Sequence, residues 1–262
     1  TFNAVRFALG SLPMLLLISL ARRRGGGHAP ERPPLRGLLL GGLAAGVLLY
    51  GGASLQQFGI VYPTAGKAGF ITGLYVIIVP ILGLLWKMRP KPGVWAGAVL
   101  GVAGLFLISV SEHVTIGLGD SLVLAGAFFW AGHVILVGWL IKRIDVGTLA
   151  FLQFATCAIL SFLTALVVED IRMDGIIAAA GPILYGAFIS VGIAYTLQLI
   201  GQRRTPASHA AIILGLEAVF AAIGGWAMLG EILSTRALVG CSLMLAGVIV
   251  SQFKLQRRAA TR

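Results

Sequence analysis

Long apolar runs separated by short polar segments fill almost the whole of this 262-residue chain. A helix that crosses the hydrocarbon core of a bilayer needs about 20 mostly apolar residues, and nine segments reach roughly that length. The pattern therefore predicts an all-α, polytopic membrane protein. The predicted spans cover residues 2–20, 36–60, 64–86, 93–110, 120–141, 147–168, 176–201, 206–229 and 235–253.

Composition agrees with this pattern, because 58% of the residues are hydrophobic and 11% are charged. A water-soluble domain of this length could not bury so much apolar surface. Lys and Arg gather in every second loop, whereas most acidic residues lie in the other loops. The basic loops contain Arg22–Arg24, Arg32, Arg36, Lys87, Arg89, Lys91, Lys142–Arg143, Arg203–Arg204 and the C-terminal residues, and the acidic ones contain Glu112, Asp120, Glu169, Asp170, Asp174 and Glu231.

Because basic loops stay in the cytoplasm, this alternation predicts that residue 1 lies outside and that the C-terminus is cytoplasmic. It also accounts for the net charge of +11. A protein that binds nucleic acid would instead concentrate its basic residues on one polar surface. Nucleic acid is therefore not an expected partner.

The second half of the chain repeats the first at a shift of 142 residues, so that Leu55–Gln56 recur as Leu197–Gln198 and Gly73–Leu74 as Gly215–Leu216. The charged ends of the helices are exchanged between the copies, which predicts opposite orientations in the membrane. Helix 120–141 opens the second copy without a counterpart in the first. We therefore expect a ten-helix, 5+5 inverted-repeat bundle whose first helix is missing. Its repeats would be residues 1–112 and 117–254, followed by a basic cytoplasmic tail, residues 255–262.

Two motifs accompany the inverted repeats. Residues 216–222 read Leu-Glu-Ala-Val-Phe-Ala-Ala and lead to Leu229-Gly230-Glu231, and glycines recur from Gly97 to Gly104 and from Gly240 to Gly247. Together these features resemble EamA-type members of the drug/metabolite transporter (DMT) superfamily over essentially the whole chain. The surroundings of Glu217 are most similar to those of YddG-type exporters of aromatic amino acids. The resemblance implies a secondary transporter of the bacterial inner (plasma) membrane with a central cavity, lined in part by the missing first helix.

Glu217 is the only acid deep inside a predicted span, about 11 residues from its cytoplasmic end. A charge there costs roughly 2.5 to 3.5 kcal/mol on insertion scales, so we expect the side chain to face the bundle interior. It could bind a substrate ammonium group or carry a proton, or it could only join two helices. Tyr75 is its repeat mate and is predicted to lie at the same depth, where a ring and a hydroxyl could contact substrate or merely fill space.

Six further residues complete the predicted substrate-binding set. Trp130 and His133 share a helix face near the middle of span 120–141. His133 could take part in proton coupling, or its imidazole could simply bond to a neighbouring backbone group. Gln56 and Gln198 are repeat mates, for which interhelical hydrogen bonding is the alternative. The last two residues are Tyr50 and Tyr195, on the same helices as these glutamines.

Several residues are predicted to have structural roles. Lys67 and its repeat mate His209 lie within a turn of a helix start, and Arg6 lies near the outer end of its helix. Snorkelling to the interface is the first expectation for Lys67, with gating or attraction of a carboxylate as the alternative. Arg6 is expected to be an anchor at the interface or a structural residue of the family. Glycines at four-residue spacing, such as Gly93, Gly97 and Gly101, predict close helix packing. Gly51–Gly52 and Pro80 could permit bending.

These patterns predict a transporter that exports small amphipathic metabolites by alternating access, with aromatic or other neutral amino acids favoured. Its partners would be that solute, the lipid bilayer and a proton as the candidate coupling ion. A carrier of sugar phosphates or nucleotide sugars is the alternative, disfavoured because Lys67 is its sole deep-set cation. A non-transporting membrane scaffold is the second alternative.

An enzyme is not expected, and neither is a catalytic site, cofactor or metal site. Cys157 and Cys241 are too far apart in sequence to suggest a disulfide framework or a zinc site. Gly117–Asp120 matches the GxGD signature of intramembrane aspartyl proteases, but the second aspartate that such chemistry needs is absent from the spans. Asp120 is instead predicted to be a helix N-cap.

Overall fold

The computed structural model describes residues 1–23, 34–61, 65–109 and 117–253. All regular structure in these ranges is helical, and they contain nine segments long and apolar enough to cross a membrane. The predicted all-α, multi-pass fold is therefore confirmed. Arg24, Arg32, Glu112 and everything from Lys254 onward, including the predicted tail 255–262, lie outside the described residues.

Six of the nine spanning segments are single helices, and three are composite. One composite segment contains a π-helix, Gly186–Tyr195, in which the backbone bonds reach back five residues. The α-helices are α1 Phe2–Arg23, α2 Leu35–Gly59, α3 Ala65–Gly73, α4 Tyr75–Leu85, α5 Pro92–Ser109, α6 Leu118–Leu140, α7 Val146–Val168, α8 Met173–Ala178, α9 Ala180–Tyr185, α10 Thr196–Gln202, α11 Ala207–Leu214, α12 Glu217–Leu229 and α13 Thr235–Gln252.

The first of two compact units consists of residues 1–55 and 136–205. In this unit α1 and its repeat mate α7 pack antiparallel. A Cβ built on Gly147, near the start of α7, would lie 3.0 Å from Cγ1 of Ile18, near the end of α1. Farther along α7, the ring of Phe154 has its centroid 6.2 Å from that of Phe7. Positions farther along α7 therefore contact positions nearer the start of α1, as in an antiparallel pair.

The second compact unit consists of the described residues within 56–135 and 206–253. Here α5 packs antiparallel on its repeat mate α13 through glycines. A Cβ on Gly97 would lie 2.5 Å from the carbonyl oxygen of Gly247, and a Cβ on Gly104 would lie 2.5 Å from that of Gly240. Since no side chain fits at these points, the backbones approach as closely as small residues allow. The glycine spacing therefore serves helix packing.

Each compact unit contains helices from both sequence repeats, because it joins helices of one copy to their repeat mates in the other.

The helix interruptions do not lie at the residues that the sequence analysis considered for bending. Helix α2 continues through Gly51–Gly52, which are buried, and α4 continues across Pro80. The interruptions occur instead at Leu74, at Gly215–Leu216 and in the π-helical segment.

Candidate functional site

Two spanning segments of the second unit are interrupted at equivalent positions of the repeat. Leu74 separates α3 from α4, and Gly215–Leu216 separate α11 from α12. The helix after each break begins at Tyr75 in one copy and at Glu217 in the other. These two residues are 142 positions apart, which is the shift that relates the repeats.

The backbone hydrogen bonds at the two breaks are also equivalent. The N–H of Leu74 donates to the carbonyl of Ile71 over 3.2 Å, and the N–H of Leu216 donates to the carbonyl of Ile213 over 3.1 Å. Both bonds reach back three residues, which is a tighter turn than the α-helix makes. A short stretch of this kind inside a longer helix often marks a hinge or a functional site.

Gly215, at the second break, allows close packing of α11 against α4. A Cβ built on Gly215 would lie 2.7 Å from Cγ2 of Val76, the residue that follows Tyr75. Any larger residue at position 215 would collide with Val76 unless one of the helices moved. Close contact between α4 and α11 therefore places the start of α4 beside the break in the other segment.

The Tyr75 hydroxyl donates a hydrogen bond to the carboxylate of Glu217, which joins α4 to α12. Tyr75 is 5% exposed, whereas the side chain of Glu217 is exposed. A carboxylate has about four acceptor positions on its two oxygens, so one bond from Tyr75 leaves capacity for another donor. The arrangement fits both a helix-joining role and a role in holding a cationic group.

Trp130 and His133 lie on α6 in the same unit. Their ring centroids are 6.1 Å apart with the planes at 88°, an edge-on contact. His133 is 1% exposed, and Trp130 packs against the hydrophobic cluster that contains Tyr75. Four of the eight predicted substrate-binding residues, Glu217, Tyr75, Trp130 and His133, therefore belong to one region of the second unit.

The other predicted residues lie elsewhere. Gln56 donates a hydrogen bond to the hydroxyl of Thr72 over 3.3 Å within the second unit. Tyr50 and Gln198 are in the first unit, where both are partly buried and the Tyr50 hydroxyl shares a hydrogen bond with Thr164. The bonds of Gln56 and Tyr50 each join two helices, as expected if these side chains stabilise helix packing.

Tyr195 lies at the end of the π-helix in an aromatic cluster of the first unit. Its ring centroid is 6.2 Å from that of Phe7 and 6.1 Å from that of Phe154. Both separations are within the range at which aromatic rings attract one another. Tyr195 thus helps to connect the π-helix to α1 and α7.

Lys67 forms an ion pair that the sequence analysis did not predict. Its Nζ lies 2.6 Å from Oδ2 of Asp120, and the two side chains are 19% and 6% exposed. Asp120 is not an N-cap, because α6 begins two residues before it and its carboxylate accepts from the backbone N–H of Gly117. Lys67 therefore does not snorkel alone, and its positive charge is balanced by Asp120.

Within the part of the chain that the structure describes, no group of three His, Cys, Asp or Glu side chains lies close enough together to hold an ion. The residues that sequence reasoning missed are the break residues and the acid opposite Lys67. Recurrence of Gly-Leu at positions 73–74 and 215–216 was the available signal for the breaks.

Comparison with known proteins identifies relatives over nearly the whole chain. The sequence model of the EamA-like transporter family matches residues 1–110 and 117–253. An uncharacterized transporter of Archaeoglobus fulgidus is 31% identical over a region that covers 82% of this chain and 69% of its own length. The uncharacterized transporter YwfM of Bacillus subtilis is 28% identical, with 95% of this chain and 82% of that protein covered.

A solved crystal structure has the same fold. It superposes with a TM-score of 0.75 at 20% sequence identity and covers 96% of this chain and 86% of that chain. Together with the sequence matches, this fold similarity agrees with the family resemblance drawn from the repeats and motifs.

Proposed function

Because this chain belongs to the EamA-like transporter family, we propose that it is a secondary transporter that exports small amphipathic metabolites. Aromatic and other neutral amino acids are the favoured class. The solute would bind between membrane helices, and alternating access of the inverted copies would move it across a bacterial inner membrane. The proposed orientation keeps the C-terminus in the cytoplasm, as the loop charges predict.

The observation that carries the proposal is the hydrogen bond between Tyr75 and Glu217, which stand at two equivalent helix breaks. A carboxylate attracts an ammonium group and accepts strong, charge-assisted hydrogen bonds from it. The indole of Trp130, which is only partly buried, provides apolar surface in the same region. An amine with an aromatic or aliphatic side chain matches that combination.

The balanced charge of Lys67 argues against this residue as the phosphate site of the rival class. A phosphorylated solute needs uncompensated positive charge to replace the water that it loses. Lys67 is the deep-set cation that the sequence offered for this purpose, but its Nζ is only 2.6 Å from Asp120. An anionic phosphate would have to compete with that carboxylate.

The proposal is tested by counterflow in proteoliposomes with tryptophan, phenylalanine, threonine and a sugar phosphate. We expect the amino acids to exchange fastest, and Glu217→Gln to reduce that exchange about tenfold or more because its amide cannot balance an ammonium charge. Glu231→Gln is the matched control, since Glu231 is also exposed but follows the end of α12. It should stay within about twofold of the original protein.

Three results would contradict the proposal. Faster movement of the sugar phosphate would favour the anion carrier. Unchanged exchange with unchanged pH dependence in Glu217→Gln would remove Glu217 from the site. Failure of the protein to move any solute of a broad panel, with retention of a partner protein on affinity capture, would favour the scaffold.

A further inference from the structure

Arg6 lies inside the first spanning segment with its guanidinium group against two aromatic rings. Its Cζ is 5.2 Å from the ring centroid of Phe2 and 5.0 Å from that of Phe7. Both distances are within the range of cation–π attraction. The rings therefore hold the guanidinium group beside α1.

Packing shows that Arg6 is directed at a neighbouring helix of its own unit. A Cβ built on Gly186, the first residue of the π-helix, would lie 3.3 Å from Cδ of Arg6 and 3.8 Å from Cζ of Phe2. The side chain of Arg6 is partly buried, as expected for this contact. Arg6 therefore contacts the π-helix of its own unit as well as the rings of α1.

The guanidinium group has unused hydrogen-bonding capacity. Its Nε is buried and has no hydrogen-bond partner among the described residues. The ion pair found between side chains of those residues joins Lys67 to Asp120 and does not involve Arg6. A cation in a membrane segment is costly unless an anion balances it.

We propose that Arg6 receives the carboxylate of the transported solute at one stage of transport. This inference rests on the proposed function and adds to it that the solute must carry a carboxylate. A guanidinium group is a planar fork of N–H donors that matches a carboxylate in a bidentate contact. Stacking on Phe2 and Phe7 reduces the freedom of the group before the solute arrives, which lowers the entropic cost of the contact.

The test compares solutes that differ only at the carboxylate. Tryptophan, tryptophanamide and tryptamine all carry an indole and an ammonium group, but only tryptophan carries a carboxylate. In proteoliposomes of phosphatidylcholine we expect the original protein to prefer tryptophan by about tenfold or more. Arg6→Gln should lose this preference, whereas Arg6→Lys should keep part of it because the charge remains.

Arg143→Gln is the matched control. Arg143 also stacks on an aromatic ring, with its Cζ 3.9 Å from the ring centroid of Trp139, but it is exposed beyond the end of α6. This variant should keep the preference for tryptophan. Equal preference in Arg6→Gln and in the original protein would overturn the inference.

Lipid phosphate is the other oxyanion that could meet Arg6. If added phosphatidylglycerol inhibits tryptophan exchange only when Arg6 is present, and the three solutes are transported alike, Arg6 binds lipid and the inference is wrong. If Arg6→Gln does not fold, the original protein is tested with indole-3-propionate and its amide as inhibitors. Inhibition by the acid alone supports the inference, and equal inhibition by both overturns it.

Failure of the proposed function gives a different result from failure of this inference. If no amino acid is transported, binding is measured by thermal unfolding in detergent with indole-3-propionate and with its amide. A stabilisation by the acid that Arg6→Lys weakens would still place a carboxylate at Arg6. If the acid does not stabilise the protein, the inference about Arg6 is wrong. If tryptophan and tryptophanamide are transported at equal rates, the inference about Arg6 is also wrong, but the proposed function stands.

Discussion

The hydroxyl of Tyr75 and the carboxylate of Glu217 share a hydrogen bond, and the two residues occupy the same position of a repeat whose shift is 142 residues. Each is the first residue after an interruption of a spanning segment. Equivalent backbone positions thus present different chemistry, a neutral donor in one copy and an acid in the other. An asymmetric solute with one cationic end could use that difference.

Removal of the Tyr75 hydroxyl tests whether this hydrogen bond matters for transport. Tyr75→Phe keeps the buried ring but leaves Glu217 without its donor. Hydrogen bonds to charged groups contribute about 1.5 to 3 kcal/mol, and partial replacement by water should reduce the loss to about 1 to 2 kcal/mol. We expect KM for amino-acid exchange to rise about 5- to 30-fold. An unchanged KM and unchanged maximal rate would show that Tyr75 only packs.

Substitution of Gly215 tests the close approach at the second break. Gly215→Ala would place a Cβ 2.7 Å from Val76, and overpacking of this kind costs about 1 to 3 kcal/mol. We expect a lower thermal unfolding midpoint in detergent and slower exchange, with recovery in the double variant Gly215→Ala/Val76→Ala. The control is Gly224→Ala on α12, since a Cβ there meets nothing within 4 Å. Equal effects of the two single variants would rule out the steric explanation.

Neutralisation of one member of the Lys67–Asp120 pair should be worse than neutralisation of both. Asp120→Asn removes the carboxylate that lies 2.6 Å from Nζ of Lys67, and partial exposure of Lys67 reduces the expected cost to about 1 to 3 kcal/mol. The double variant Lys67→Gln/Asp120→Asn should unfold at a higher temperature than Asp120→Asn alone. A double-mutant cycle on the unfolding free energy gives the coupling. Strict additivity would mean that the pair contributes no net interaction.

The backbone contact between α5 and α13 predicts that alanine lowers the thermal stability much more at Gly97 than at Gly69. Gly97→Ala would place a Cβ 2.5 Å from the carbonyl oxygen of Gly247, so the helices must separate at a cost of about 1 to 3 kcal/mol. Gly69→Ala on α3 meets no atom within 4 Å and should be neutral or slightly stabilising, because alanine favours the helix. Thermal unfolding of the two purified variants measures the difference, and similar midpoints would count against the packing described here.

The spans and the family were predictable because both depend on patterns that are continuous in sequence. Hydropathy identified all nine spanning segments found in the described ranges, and the repeats with the Glu217 motif indicated the family that the comparison confirms. Hydropathy could not identify the breaks, because Leu74 and Leu216 are as apolar as their neighbours. The change in backbone hydrogen bonding at these residues is not reflected in the types of residue present.

Contacts between residues far apart in the sequence were the second feature that could not be predicted from the sequence. Lys67 and Asp120 are 53 residues apart, and each was interpreted from its own helix end, so their pairing was missed. Tyr75 and Glu217 were matched only because the repeat supplied a second copy of the same position. The helix partners within each unit likewise come from distant parts of the chain, which local periodicity does not encode.

Antiparallel packing of α5 on α13 has a consequence for biogenesis. The ribosome releases α5 before more than a hundred further residues have been made, and α13 is the last helix of the described chain to appear. Until then, the glycine face of α5 has no partner of its own and must be shielded by lipid or by an insertion factor. Insertion of this protein should therefore be most vulnerable in the interval between these two helices, and truncation before α13 should send the nascent chain to quality-control proteolysis.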